Sequence, residues 1–128
     1  MTDLIVVCAA IIEGDARYLV TRRQAGVHLE GYWEFPGGKC EPGETLAICL
    51  ARELQEELGV GADVGEEVLA TRYAYPDRVV ELHFLRSRVI GEPLPQVGQE
   101  LRWVALDELP RLAFPPADAE LIQMLTRR

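Results

Sequence analysis

The chain has 128 residues, 48% apolar and 27% charged, and its 21 Asp and Glu outnumber its 13 Lys and Arg for a formal net charge of −8. That length accommodates one compact domain, expected to span residues 1–128, and the composition excludes a disordered or collagen-like chain. The acidic balance argues against polymeric nucleic acid and anionic membranes as partners, so an anionic small molecule would need a separate source of positive charge.

Leu4–Ile12 is the first apolar run. It is far short of the ~18 residues of a membrane span, and Asp3 stands where a signal peptide would carry basic residues, so a soluble, cytoplasmic protein is expected. Leu4–Ile12 and Tyr18–Thr21 read as β-strands separated at Gly14-Asp15, a pair that signals a hairpin turn. Residues 24–32 are more polar and contain Gly26 and Gly31, which predicts a loop. A second loop follows Trp33-Glu34-Phe35, where Pro36-Gly37-Gly38 and Glu41-Pro42-Gly43-Glu44 oppose regular structure. Long loops in small domains are usually functional.

From Thr45 the pattern turns helical, with Ala47, Leu50, Ala51, Leu54 and Leu58 at three- and four-residue steps and Gly59 as the stop. Residues 64–74 and 78–90 read as strands joined at Pro76-Asp77, and Leu101–Leu106 as a shorter one with Trp103 facing inward. Pro115-Pro116 opens a last helix, apolar at Leu121, Ile122 and Leu125. Strands mixed with two separated helices predict an α/β or α+β sandwich. Cys8, Cys40 and Cys49 cannot all pair within one chain, and no histidine lies at zinc-ligand spacing from them, so reduced thiols are expected, with Cys8 as a small buried hydrophobe. His28 and His83 read as structural or surface residues.

The polar side of the first helix carries the chemistry. Glu53, Glu56 and Glu57 stand at i, i+3 and i+4, which gathers three carboxylates on one face. Like charges so close repel, so either water screens them on a solvated face or a cation sits among them. A hard divalent ion such as Mg2+ takes oxygen ligands of this kind together with substrate phosphates. Gly37-Gly38 allows the backbone to approach the same place, and Arg52 can hold a carboxylate in bidentate fashion.

Residues 38–60 match the Nudix box G-x5-E-x7-R-E-U-x-E-E-x-G-U, U being a bulky aliphatic, at Gly38, Glu44, Arg52, Glu53, Leu54, Glu56, Glu57, Gly59 and Val60. With each fixed residue at roughly 5–7% background frequency, chance agreement is well below about one in a million. The chain therefore resembles the Nudix hydrolases. The resemblance implies an α/β/α sandwich around a mixed β-sheet and hydrolysis of a diphosphate linked to another moiety. It also implies Glu53, Glu56 and Glu57 as ligands of Mg2+, for which Mn2+ can substitute. Gly38 would add a backbone carbonyl, and Arg52 and Glu44 would support the cluster.

Outside the box the chain is similar to the MutT branch, which hydrolyses nucleoside triphosphates, oxidised ones such as 8-oxo-dGTP among them, to the monophosphate and pyrophosphate. This rests on Thr21-Arg22-Arg23, Glu34-Phe35-Pro36-Gly37-Gly38-Lys39, Tyr75-Pro76-Asp77-Arg78 and Phe114-Pro115-Pro116-Ala117-Asp118. It implies that Arg23 contacts phosphate or nucleotide, that the Phe35 backbone and Arg78 frame the purine, and that Asp118 reads the base edge. From the residues alone, Arg22 and Arg23 equally suit solvated strand-end charges, and the side chain of Phe35 suits packing. Lys39 reads either as a phosphate-facing charge or as a loop charge, and Asp118 also suits a helix cap.

Two positions depart from that branch. Val97 stands where such chains carry a glutamate that binds metal or acts as base, with Gln99 and Glu100 nearby and Glu100 the candidate auxiliary base. Asp118 stands where the 8-oxo-guanine enzymes typically have asparagine. The alternatives are pyrophosphohydrolysis of modified cytosine nucleotides or of another nucleoside diphosphate compound, such as a nucleotide sugar or dinucleoside polyphosphate, a noncatalytic nucleotide sensor, and an acidic interaction domain. The expected assembly is a monomer or homodimer.

Overall fold

A computed structural model describes residues 3–26 and 30–127, so His28 lies outside the described residues. The elements run β1 (Asp3–Ile11), β2 (Glu13–Gly14), β3 (Arg17–Arg22), β4 (Trp33–Glu34), β5 (Gly37–Lys39), α1 (Leu46–Leu58), β6 (Gly61–Tyr75), β7 (Arg78–Ile90), β8 (Glu100–Ala105) and α2 (Ala119–Thr126). Two 3-10 segments, Leu106–Arg111 and Pro116–Asp118, connect β8 to α2. No helix among the described residues is long and apolar enough to cross a membrane.

The strands form two groups. One is a mixed sheet of order β5-β1-β7-β6, in which β1 and β7 run parallel and the other pairs antiparallel. The other is antiparallel, with β3 between β4 and β8 and with β2 turning back onto it. The hairpin expected at Gly14-Asp15 is present but joins β2 to β3, with β1 in the other sheet. Its two turn residues are Asp15 and Ala16, both at positive φ (52° and 61°), the conformation that matches the twist of two-residue hairpins.

β1 is covered on both faces. Cys8 and Ala10 pack under α1 with Leu50, Leu54, Leu58 and Leu85, while Ala9 and Ile11 face a second cluster with Phe35, Phe84, Leu109 and Leu121. The period-two alternation of a strand thus directs successive residues into two cores, and α1 and α2 lie on opposite sides, the layering expected from the sequence.

α1 follows its pattern closely. Thr45 caps it by accepting from the Ile48 N–H at 3.2 Å, and Gly59 ends it at φ 69°. Ala47, however, is exposed, and Cys49 takes the buried place beside Leu50. Two further expectations need correction. Gly37–Lys39, read as loop, pairs antiparallel with β1, because two adjacent glycines let the backbone come against Cys8, where a Cβ on Gly37 would meet the Cys8 carbonyl oxygen at 1.9 Å. Cys40 and Cys49, read as reduced thiols, are joined as a disulfide, since that pairing and α1 bring their Cα atoms to 5.2 Å. Cys8 is the buried free thiol expected, and burial pushes it up to about 11.

Candidate active site

The segment from Pro36 to Glu44, which includes β5, and the polar face of α1 together build the carboxylate cluster. Arg52 is its centre. Its Nε and Nη2 grip Glu44 at 2.7 and 2.9 Å, and Nη1 reaches Glu53 at 3.0 Å and Glu56 at 3.2 Å. Nη2 also donates to the Lys39 carbonyl at 3.0 Å, tying the end of β5 to the helix. This planar fork serves three carboxylates and a carbonyl at once, which an ammonium could not do. The Arg52 hydrogen bonds hold Glu44 down at about 2, with help from the Glu41 N–H.

Glu53 lies against Gly38 so closely that a Cβ there would stand 2.3 Å from its carboxylate. Glu57 accepts from the Gly37 N–H at 3.3 Å. Burial, then the charges of Glu34 and Glu53, push Glu57 up to about 8, and burial also raises Glu53 against the opposing pull of Arg52. A cluster with surplus negative charge and hard oxygen donors, set beside a backbone with no side chain in the way, fits a divalent cation. Glu53, Glu57 and the Gly38 carbonyl are the donors this geometry offers. Glu56 is more exposed and turned toward Arg52.

The cluster borders a cavity of about 440 Å3, a size suited to a small-molecule ligand. Arg23, Phe35, Gly38, Lys39, Glu57, Arg78 and Asp118, all singled out in the sequence, line it together. Phe35 itself is buried, stacked on Phe114 and edge-on to Phe84, so its side chain packs the core and its backbone borders the cavity. Arg78 reaches over the Tyr75 ring, and its buried Nε has no hydrogen-bond partner among the described residues. Asp118 is buried, makes no capping hydrogen bond to α2, and is pushed up to about 7 by burial and by the charge of Glu34.

Glu34 is the charged cavity residue to which sequence reasoning assigned no role. It pairs with Arg23 at 2.8 Å, and burial raises its carboxyl. Its position between buried Trp33 and Phe35 was the available signal, since alternation puts the middle residue on the opposite face. Glu100 is not brought in: it begins β8, pairs with Arg22 at 3.6 Å and does not line the cavity. β8 runs beside β3, and the parity of a strand sends Arg22 to Glu100 while Arg23 enters the cavity. Gln99, next to it, donates instead to the backbone carbonyl of Glu57 at 2.9 Å, and Val97 is exposed. His83 sits between Glu67 and Glu81 away from the cavity, consistent with a structural residue.

A family model described as NUDIX domain matches residues 7–124. An 8-oxo-dGTP diphosphatase of Escherichia coli is 38% identical over 128 residues, covering 99% of each chain. A CTP pyrophosphohydrolase of Escherichia coli is also 38% identical, over 121 residues covering 94% of this chain and 90% of that one. Among solved structures, the Escherichia coli ORF135 protein superposes with a TM-score of 0.85 at 37% identity, covering 95% of this chain and 88% of that one.

Proposed function

The chain belongs to the NUDIX domain family, whose hydrolases generally use divalent metal ions, and from that premise we propose that it is a MutT-type nucleoside triphosphate pyrophosphohydrolase. It cleaves triphosphates, oxidised ones such as 8-oxo-dGTP included, to the monophosphate and pyrophosphate, with residues 1–128 as one catalytic domain serving the cytoplasmic nucleotide pool. The observation that carries this reading is a single cavity with carboxylates and the Gly38 backbone at one end and the buried Asp118 at the other.

Residues of the chain divide the work along that cavity. Glu53, Glu57 and the Gly38 carbonyl would hold Mg2+, with Mn2+ as a substitute, and Glu56 would complete the set from the exposed side of the helix. Once bound, the ion would supply positive charge to phosphate oxygens and would make an attacking water more acidic. Arg52 fixes the rotamers of Glu44 and Glu53, so the carboxylates meet the substrate already oriented. Arg23 and Lys39 lend the positive charge that an acidic protein otherwise lacks near a triphosphate. Glu57, the carboxylate of the cluster that lines the cavity, can in its ionised form take up a proton from a water attacking phosphorus. At the far end, Arg78 and the Phe35 backbone border the base, and Asp118 meets its edge.

A second reading is favoured by one observation. An aspartate whose carboxyl lies near 7 is protonated in part of the population, and only then donates as asparagine does. Its ionised form accepts from an amino-bearing edge, as in cytosine, and one relative is named a CTP pyrophosphohydrolase. Modified cytosine nucleotides are therefore proposed as additional substrates.

The test is pyrophosphate release from a panel of 8-oxo-dGTP, dGTP, CTP, 5-methyl-dCTP, a nucleotide sugar and a dinucleoside polyphosphate, with Mg2+ and with chelator. Release from the triphosphates that vanishes with chelator is expected. Turnover confined to the nucleotide sugar or dinucleoside compound would overturn the proposal.

A further inference from the structure

Three sulfur atoms lie beneath the carboxylate end of the cavity. Cys40 follows β5 and is bonded to Cys49 in the first turn of α1, so the bond joins the strand that carries Gly38 to the helix that carries Glu53 and Glu57. The third sulfur, Cys8 on β1, sits 2.8 Å from the Cys49 sulfur, and its thiol points to the Gly38 carbonyl at 3.6 Å. All three sulfurs are within 4.8 Å of one another. Cys8 and Cys49 are fully buried, and Cys40 alone is half-buried, so a reagent from solution meets Cys40 first.

We propose that Cys8, Cys40 and Cys49 form a thiol–disulfide exchange site for a dithiol reductant, and that the Cys40–Cys49 bond sets how firmly the Gly38 backbone is held against the carboxylates. The thiolate of the dithiol attacks the Cys40 sulfur, the bond to Cys49 breaks, and Cys49 leaves as a thiolate that takes up a proton. The second thiol of the reductant then closes on the first and releases Cys40. One protein disulfide becomes two thiols, and the dithiol becomes a cyclic disulfide. Cys8 adds a redox-neutral branch: attack of its thiolate on the Cys49 sulfur moves the bond into the core and frees Cys40.

The link to the carboxylates is mechanical. Among the described residues β5 and the residue after it are tied to α1 by the disulfide, by the Arg52 bond to the Lys39 carbonyl and by the Gly37 N–H bond to Glu57. Opening the first removes the one covalent tie, and the space between Gly38 and Glu53 is then less tightly set. This half of the proposal rests on the carboxylates holding a cation; the exchange chemistry does not.

The experiment equilibrates the full chain in mixtures of reduced and oxidised dithiothreitol, quenches exchange with acid, alkylates free thiols in denaturant so that buried ones react, and counts and maps them by mass spectrometry. One alkylated cysteine, Cys8, is expected under oxidising conditions and three under reducing conditions. Reduction should weaken Mn2+ binding, measured by calorimetry without substrate, by about 10-fold, the low end of effects from groups that orient metal ligands. It should lower Tm by about 5 °C or more. Cys40→Ser should lose the redox response of Mn2+ affinity, because the covalent tie of β5 to α1 is then absent in both states, and mild oxidation of that variant should give a Cys8–Cys49 bridged peptide. Three alkylated cysteines under oxidising conditions would overturn the exchange site, and absence of the bridged peptide would overturn the Cys8 branch. Equal Mn2+ affinity in the two mapped forms would overturn the coupling. No Mn2+ binding in either form would overturn the coupling together with the cation reading, while thiol mapping still decides the exchange chemistry.

Discussion

At the carboxylate end of the cavity, charges are numerous, partly solvated and tied together by one arginine: Arg52 reaches Glu44, Glu53 and Glu56, with side chains from 12% to 57% exposed. At the Asp118 end, one carboxyl is buried with 6% exposure, and the buried Nε of Arg78, which lines the same cavity, has no hydrogen-bond partner among the described residues. The first end is oriented before ligand arrives, because Arg52 holds three carboxylates in place while leaving surplus negative charge for a cation. The second leaves polar capacity open, where an unpaired buried group costs about 1–3 kcal/mol until something meets it. A site built this way applies the same chemistry to any triphosphate and leaves discrimination to the far end.

The sharpest way to break that division is at Glu53 and Glu57. Glu53→Gln and Glu57→Gln are each expected to lower kcat by more than about 10²-fold with Tm nearly unchanged, because each removes a charged oxygen from the cation site. Pyrophosphate release at saturating Mg2+ is the measurement, and near-normal turnover in either variant would refute the assignment.

The adjacent glycines separate packing from ligation. Gly37→Ala places a Cβ against the backbone of Cys8, which cannot yield without parting β1 from β5, so a loss of about 1–3 kcal/mol or more is expected in urea unfolding. For Gly38→Ala the three atoms nearest the new Cβ all belong to the flexible end of Glu53. Stability should hold while Mg2+ affinity, from the metal dependence of kcat/KM, falls about 10- to 100-fold.

Asp118→Asn tests the other end. The kcat/KM ratio of 8-oxo-dGTP to 5-methyl-dCTP should rise roughly 5- to 150-fold, corresponding to one buried polar group left unpaired or repaired. The same substitution carries a pH signature. The Asp118 carboxyl is raised from 3.8 to about 7, so between those values the native state holds a proton that the unfolded chain has released. Wild-type stability therefore falls as pH rises through that window, by a few kcal/mol at most, and Asn removes this contribution. The Tm of Asp118→Asn relative to wild type should climb from pH 4 to 7; a flat difference would mean that Asp118 is ionised throughout.

The smallest effect is expected at Glu100. Its pairing with Arg22 is exposed and separate from the cavity, so Glu100→Gln should leave kcat within about 2-fold and stability within about 1 kcal/mol. A large loss of kcat would bring Glu100 to the reacting phosphate despite its place on β8.

Legibility followed the range of the interactions. The extent of the helix from Leu46 to Leu58 could be read, though not the burial of Cys49 in place of Ala47, since its start after Thr45, its stop at Gly59 and the i, i+3, i+4 grouping of Glu53, Glu56 and Glu57 depend only on near neighbours along the chain. The strand at Gly37–Lys39 could not. Glycines carry no β signal, and the strand exists because β1 presents a partner edge and leaves no room for a Cβ. Likewise a turn was recognisable at Gly14-Asp15, one residue before the Asp15-Ala16 turn that forms, but which strands it joined depended on β1 crossing to pair with β7.

What the sequence determined by itself was the carboxylate helix, its arginine and the family they signal, because one helix and the loop before it hold those residues at fixed spacing. Tertiary structure alone decided that Glu34 faces the cavity and Glu100 does not, that Cys40 meets Cys49 with Cys8 beside them, and that Asp118 is buried enough to keep its proton toward neutrality. Each of these depends on which distant segments exclude water from a side chain. Desolvation and sulfur–sulfur approach are properties of packed neighbours, and spacing along the chain does not encode them.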